Sequence, residues 1–166
     1  MTDKQGRAAV ASLVTAGSAL LAAGCASSGP PAQSPVSHRP VSQSRYMAIA
    51  RPANRELDHE LDGFDDHIKD GDLAAARADL RAAVVTERRF DRQLTALSFP
   101  PRTEPFVRLL YRVNQARATL TSTAAGVTLL RELRGYQRRL DAANEPVEDA
   151  VRVIRGQLGL PPPDTS

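Results

Sequence analysis

The sequence predicts an all-α fold: an antiparallel three- to four-helix bundle that follows a disordered Ser/Pro-rich N-terminal linker. From residue 53 to residue 158, apolar residues recur at spacings of three, four or seven, which is typical of amphipathic helices. Short stretches containing Gly, Pro or Asp separate these segments. Alternation of apolar and polar residues, the mark of a half-buried strand, does not occur there. Amphipathic helices joined by short turns favour an antiparallel bundle.

Local signals indicate the ends of the first two helices, which we expect at about 53–70 and 73–97. The first helix has a single apolar stripe made of Leu57, Leu61, Phe64 and Ile68. The sequence DGD at residues 70–72 supplies a turn and an N-cap for the second helix. The apolar stripe of the second helix is interrupted by Glu87. This helix is expected to end at "SFPPR", because the residue before a proline avoids helical geometry.

The other two helices are expected at about 103–125 and 128–158, with Thr103 capping the first of them. A seven-residue apolar repeat runs through each segment, but one residue is missing from the repeat between them. Since one residue corresponds to about 100° of rotation, one straight helix could not bury both stripes. We therefore place a break near Gly126. Pro146 lies inside the last helix, where the unchanged phase of the stripe favours a kink over a new segment.

Residues 1–24 have the layout of a secretory signal peptide. Lys4 and Arg7 form a short positive start, no charge occurs in residues 8–23, and small residues precede Cys25. The apolar run is too short and too weakly apolar for a membrane-spanning helix, which needs about 20 strongly apolar residues. We expect this segment to direct export of the chain.

The sequence LAAGC at residues 21–25 resembles the lipobox of bacterial lipoproteins. The resemblance implies that the Cys25 sulfur receives a diacylglyceryl group, that cleavage falls between Gly24 and Cys25, and that fatty acyl groups such as palmitate anchor the mature chain. Lipoboxes usually have leucine three residues before the cysteine, where this chain has Ala22. The alternatives are an ordinary cleaved signal with an incidental cysteine, or a redox thiol. A single cysteine excludes an intramolecular disulfide.

After the lipidated Cys25, residues 25–52 are predicted to form a disordered linker. Their Ser/Pro-rich composition cannot bury enough apolar surface to offset the entropy of ordering. The apolar patch YMAIA at 46–50 could dock onto the folded part. The bundle domain is expected to span 53–160, and 161–166 to form a disordered tail. Together, lipobox, Ser/Pro spacer and helical domain resemble the layout of small helical lipoproteins of actinobacteria.

The charge composition argues against nucleic acid as a partner. The net charge is only +3, Trp is absent and aromatic residues make up 4% of the chain, so a base-stacking surface is not expected. Only Lys4 and Lys69 are lysines among 22 basic residues. Such an excess of Arg, together with abundant Ala, is typical of a GC-rich genome and does not by itself indicate a phosphate site.

We predict no catalytic residue, no metal site and no cofactor. Nucleophile motifs such as Gly-x-Ser-x-Gly and Ser-x-x-Lys are absent, as is a phosphate-binding glycine loop. Glu56 and His59 have the Glu-x-x-His spacing of di-iron bundles, but those sites need a second copy, which this sequence lacks. The acidic residues around His59 are therefore interpreted as a solvated face.

Four arginines of the last helix form a possible surface for an anionic partner: Arg131, Arg134, Arg138 and Arg139. Their chemistry suits anionic lipid headgroups, teichoic-type polymers or an acidic protein. The alternative is that they pair with the acidic first helix and reflect the general Arg content of the chain.

Two functions remain open on the extracytoplasmic face of the cell membrane. The first is a non-catalytic module that binds another envelope protein or assists assembly. The alternative is a carrier of a small apolar or anionic ligand within the bundle. A carrier should contain a cavity of a few hundred Å³ lined by the helices, whereas an enzyme would need titratable groups that converge inside. The oligomeric state is left open.

A Cys25→Ser variant that has lost its signal peptide is expected to leave the membrane fraction. Two acyl chains anchor a protein stably, and this variant cannot receive the diacylglyceryl group on a cysteine sulfur. Cell fractionation combined with the intact mass of each pool measures this, and Ser27→Ala is the matched control. Processed Cys25→Ser protein that fractionates with membranes as the parent does would contradict lipid anchoring.

Overall fold

The computed structural model describes residues 43–163, and within that range it contains four α-helices and no strand. The helices are α1 (Gln43–Asp70), α2 (Leu73–Thr95), α3 (Glu104–Ala124) and α4 (Leu130–Gln157). The prediction of an all-α bundle is confirmed. The predicted signal peptide, Gly24, Cys25 and the rest of residues 1–42 lie outside the described residues.

Helix α1 begins ten residues earlier than the sequence indicated. Its first turns bury Tyr46, Ala50 and Ala53, which are spaced by four and three residues and so share one face. The side-chain amide of Gln43 donates to the carbonyl of Leu158, at 2.7 Å, and joins the start of α1 to the end of α4. The prediction of a disordered linker over 25–52 was therefore wrong for residues 43–52.

Pro52 lies inside α1, where it removes one backbone hydrogen bond. Local propensity alone would start a helix close to such a proline, because proline is favoured in the first turn. The helix continues to its N-terminal side because those turns pack against other helices. Tertiary burial thus overrides the local signal.

The turn before α2 forms as expected. Asp72 is the N-cap, and its Oδ1 accepts from the backbone N–H of Ala75 at 2.9 Å. Gly71 has φ of +81°, a conformation that only glycine adopts easily. The start of α3 differs from the expectation: Thr103 occupies the N-cap position, but its side chain is buried and makes no capping hydrogen bond.

The last two helices are separated where the apolar repeat loses a residue. α3 ends at Ala124, and the turn through Gly126 leads to the extended Leu129 that precedes α4. α4 then continues through Pro146 as one helix. It ends at Gln157, and Gly159, with φ of +68°, allows the chain to turn away from the helix axis.

Arg155 holds the residues that follow α4. Its guanidinium donates to the carbonyls of Pro161, at 2.7 Å, and Pro162, at 3.1 Å. The prediction of a disordered tail over 161–166 was therefore wrong for 161–163, while 164–166 lie outside the described residues.

Each helix packs beside the next one in the chain: α1 with α2, α2 with α3, and α3 with α4. Helices α1 and α4 approach each other less closely, and polar side chains connect them near their ends. Gln137 donates to Asp65 at 3.1 Å, and Arg134 donates to the carbonyl of Ile68 at 3.4 Å. Between these contacts and the Gln43–Leu158 bond, the two helices border a cleft.

Two apolar clusters form the core of the bundle. The first lies at the end where α1 begins and includes Tyr46, Phe90, Leu110 and Ile154. The second lies at the opposite end and includes Phe64, Leu80, Ala124 and Leu133. Buried polar residues of α2 and α3 belong to neither cluster: Thr86, Glu87, Asp91, Asn114, Arg117 and Thr121.

Replacing Tyr46 by alanine should lower the free energy of unfolding by about 3 kcal/mol or more, because the ring is 1% exposed and its loss leaves a cavity. Burial also raises the pKa of the Tyr46 phenol to about 12. Urea unfolding followed by circular dichroism measures the change. Val85→Ala, at a position that is 61% exposed, is the control and should change stability by less than about 0.5 kcal/mol. A neutral Tyr46→Ala would show that residues 43–52 do not belong to the core.

Candidate functional site

The cleft between α1 and α4 contains two adjoining cavities. One has a volume of about 350 Å³ and is lined by acidic residues that include Asp65, Asp141 and Glu148; we call it the acidic cavity. The other, of about 460 Å³, is lined by Tyr46 and extends to Pro163; we call it the Tyr46 cavity. Both volumes lie in the range of small-molecule sites. Side chains of α2 and α3 complete the lining of each.

Glu87 and Arg117 form an ion pair that lines both cavities. Arg117 Nε donates to Glu87 Oε1 at 2.6 Å. Glu87 is 1% exposed and Arg117 is 8% exposed, so both charges are largely removed from water. Such a pair persists only when its geometry and further hydrogen bonds offset the cost of desolvation. The interruption of the α2 apolar stripe at Glu87 is thus a buried charge whose partner lies on the next helix.

Hydrogen bonds extend this pair to α4. Arg117 Nη1 donates to Asn144 Oδ1, and Asn144 Nδ2 donates to Glu148 Oε1. We call these four residues the polar network. It runs from α2 through α3 to the rim of the cleft on α4, and a single arginine thereby connects three helices.

One oxygen of the polar network has no partner. Glu87 Oε2 is buried, and no hydrogen bond to it occurs within residues 43–163. Burial raises the pKa of Glu87, while the charge and hydrogen bond of Arg117 oppose that rise. Because most buried polar atoms in proteins are hydrogen-bonded, this oxygen marks a donor that the described residues do not supply.

Asp91, one helical turn after Glu87, has a hydrogen-bond donor at each of its two carboxylate oxygens. Its Oδ1 accepts from Asn114 at 2.9 Å, and its Oδ2 accepts from Gln115 at 2.6 Å. Burial raises the pKa of Asp91, and the two hydrogen bonds oppose the rise. Asp91 therefore joins α2 to α3, and both of its oxygens are used.

A second carboxylate with a covered oxygen, that of Glu60, lies on the seam between α1 and α2. The Thr86 hydroxyl is 3.0 Å from Glu60 Oε1 and 3.3 Å from Glu56 Oε2, and Arg89 donates to Glu56. Glu60 Oε2 is buried without a hydrogen bond among the described residues, and burial raises the Glu60 pKa. Glu60 does not line either cavity, so we assign this group to helix packing.

The histidines of α1 lie apart from the cleft. His59 is exposed, and His67 Nδ1 is 2.7 Å from Asp79 Oδ2. The hydrogen bond with Asp79 raises the pKa of His67. In the described range, no group of three or more His, Cys, Asp or Glu side chains is arranged to hold a metal ion. Glu56 faces α2 and Arg89, so the Glu-x-x-His spacing of the sequence does not form a convergent pair.

The four arginines predicted as an anionic-partner surface are exposed on the first half of α4: Arg131, Arg134, Arg138 and Arg139. The Arg139 guanidinium lies 4.6 Å from the centre of the Tyr136 ring, which is a cation–π contact. Arg134 contacts the end of α1, as described above. These residues lie outside the linings of both cavities.

The outer side of α2 and α3 is a second basic surface, which the sequence analysis did not single out. All three acids of α2 are paired internally, Asp79 with His67, Glu87 with Arg117 and Asp91 with Asn114. The exposed charges of α2 are therefore all positive. We call the exposed arginines of α2 and α3 the arginine face, and one of them, Arg108, also pairs with Glu104 at 3.2 Å: Arg81, Arg88, Arg92, Arg108 and Arg112.

Comparison with known proteins assigns no family to this chain. A scan against protein-family models, a search of curated proteins and a search of solved structures each found no match to the chain. Among the described helices, none combines the length and the apolar character needed to cross a bilayer.

Removing one charge of the buried pair should lower the free energy of unfolding far more than removing both charges. Arg117→Met leaves Glu87 buried without a counter-charge, and we expect a loss of about 3–5 kcal/mol in the free energy of unfolding. The double variant Glu87→Leu/Arg117→Met should lose much less than the sum of the two single variants. Chemical denaturation of all four proteins measures the coupling, with Arg88→Met on the exposed arginine face as the control. Additive losses would contradict a coupled buried pair.

Proposed function

We propose that the protein is a non-catalytic, lipid-anchored binding protein on the extracytoplasmic face of a bacterial cell membrane. The lipobox-like sequence at residues 21–25 supports the anchor, through diacylglyceryl attachment at Cys25 and cleavage between Gly24 and Cys25. The fractionation of Cys25→Ser, described with the sequence, tests this part of the proposal. The membrane and a ligand or envelope partner are then the expected binding partners.

The cleft favours the carrier function over the other possibilities. Its two cavities, of about 350 and 460 Å³, are the size expected for a bundle that holds a small molecule. Side chains from all four helices line it, so a bound ligand would contact every helix of the bundle. This single observation supports the proposal that the protein takes up a small ligand between α1 and α4.

The anchor and the cleft are compatible in distance. The chain between Cys25 and the first residue of α1 comprises residues 25–42, which span at most about 65 Å when fully extended. A lipid-anchored chain would therefore keep the start of α1 within that distance of the membrane surface. Such a position suits a ligand that arrives at, or departs from, the envelope.

Interaction with another envelope protein is a second candidate, and the arginine face is the observation that favours it. That face combines five exposed arginines with Val85 and Tyr111, which are exposed by 61% and 39%. Arginine and tyrosine are enriched at protein interfaces. The corresponding partner would present an acidic surface.

Filling the cleft should abolish ligand uptake without unfolding the bundle. Leu61 is half-buried and lines both cavities, so Leu61→Trp should occupy the space between them. Native mass spectrometry of the mature protein, purified from its producing cells, is expected to show a bound small molecule for the parent and none for this variant. Val85→Trp, on the arginine face, is the matched control and should retain the ligand.

Two results would contradict the carrier function. One is a parent protein that carries no small molecule and is not stabilised against heat by any member of a chemically diverse compound set. The other is equal ligand retention by the parent and by a folded Leu61→Trp variant. Loss of ligand in Val85→Trp, with retention in Leu61→Trp, would instead favour the arginine face.

A further inference from the structure

We infer that the cleft binds a small organic cation, whose ammonium group pairs with Glu87 in the acidic cavity and whose apolar part contacts Leu61, Phe64 and Leu140. This inference rests on the proposed function, because it names the ligand class of the same cleft. It excludes the anionic ligand that the sequence left open.

The free oxygen of Glu87 is the first observation that carries the inference. Arg117 occupies Oε1 at 2.6 Å, and Oε2 has no partner among the described residues. A buried acceptor left without a donor is costly, so a donor group brought by a ligand gains the full benefit of satisfying it. In the neighbouring Asp91, by contrast, the chain supplies donors to both oxygens.

The charge of the lining is the second observation. Four carboxylates line the acidic cavity: Asp65, Glu87, Asp141 and Glu148. Arg117 is the one cationic side chain among the described residues that line it, and its contacts to Glu87 and Asn144 already engage it. A cleft lined by charges of one sign concentrates ligands of the opposite sign. The lining therefore favours a cation and disfavours an anion.

The apolar residues of the same cavity define the rest of the ligand. Phe64 is buried, and Leu61 and Leu140 are half-buried on facing sides of the cleft, on α1 and α4. A short hydrocarbon chain or ring would lie between them, with its ammonium directed to the carboxylates. The Tyr46 cavity is less suited to a cation, because Arg152 and Arg155 also line it.

Binding requires a small movement of Glu87. Oε2 is covered in this structure, so the carboxylate must turn about its terminal bond to present the oxygen to the cavity. Glu87 already lines the cavity, as does Arg117. The ammonium would then share the carboxylate with Arg117.

The experiment uses the mature lipidated chain in detergent and n-hexylammonium as the probe. Chemical shifts of the backbone amides are followed by NMR during titration, with n-hexanol and n-hexanoate as probes of equal chain length. We expect saturable shifts at residues 61, 64, 117 and 140 with the ammonium probe. The alcohol and the carboxylate should bind at least about tenfold more weakly, since the alcohol carries no positive charge and the carboxylate is repelled by the acidic lining.

Variants identify the carboxylates responsible. Glu87→Gln should weaken n-hexylammonium binding by about tenfold or more. The double variant Asp65→Asn/Asp141→Asn, at exposed positions of the rim, should weaken it by about threefold. Asp62→Asn removes an exposed acid of α1 that does not line the cleft, and it should leave binding unchanged. If Glu87→Gln does not fold, the rim variant and the probe series decide the outcome.

Failure of the inference can be told apart from failure of the proposed function. If n-hexanol binds as tightly as n-hexylammonium, or n-hexanoate binds more tightly, the cation assignment is overturned while the cleft remains a ligand site. Unchanged binding in the rim variant also overturns it. If no probe shifts the cleft residues and the native protein carries no ligand, both the inference and the carrier function are wrong.

Discussion

The buried ion pair between Glu87 and Arg117 is the constraint on which the rest of the bundle depends. Neither charge could be buried alone, because an uncompensated charge in the interior costs several kcal/mol. The pair lies between two apolar clusters, so it joins α2 to α3 where the core is not hydrophobic. Asn144 then brings α4 to the same point. The polar network therefore fixes how three helices meet.

The same network explains why a cleft lies between α1 and α4. Apolar faces close on one another because burial removes them from water, but a polar network gains little from being covered by an apolar helix face. α1 contacts α4 instead near its two ends, through Gln43 at one and Asp65 and Ile68 at the other. Between them the helices border a space that is lined by polar and apolar side chains and includes Glu87.

Acidic and basic side chains lie on different surfaces of this bundle: acids line the mouth of the cleft, and arginines are exposed on α2. The acids of α2 are used internally, so arginines are the charges that α2 turns outward. The acids at the mouth of the cleft come from α1 and α4, on the other side of the bundle. The domain thus presents an acidic cavity within the cleft and a basic face, and the proposed ligand and the proposed envelope partner would bind to different surfaces.

The sequence by itself determined the elements whose signals are local. The spacing of apolar residues predicted four helices, and Asp72 and Gly126 marked two of their boundaries, since capping and phase depend on neighbours a few residues away. Tertiary structure alone decided the rest. Tyr46 became core because it packs with residues such as Ile154, far along the chain, and a break in the stripe at Glu87 could not reveal Arg117, 30 residues later on another helix. Which buried groups meet depends on how helices rotate and pack, and that information is absent from any single stretch of sequence.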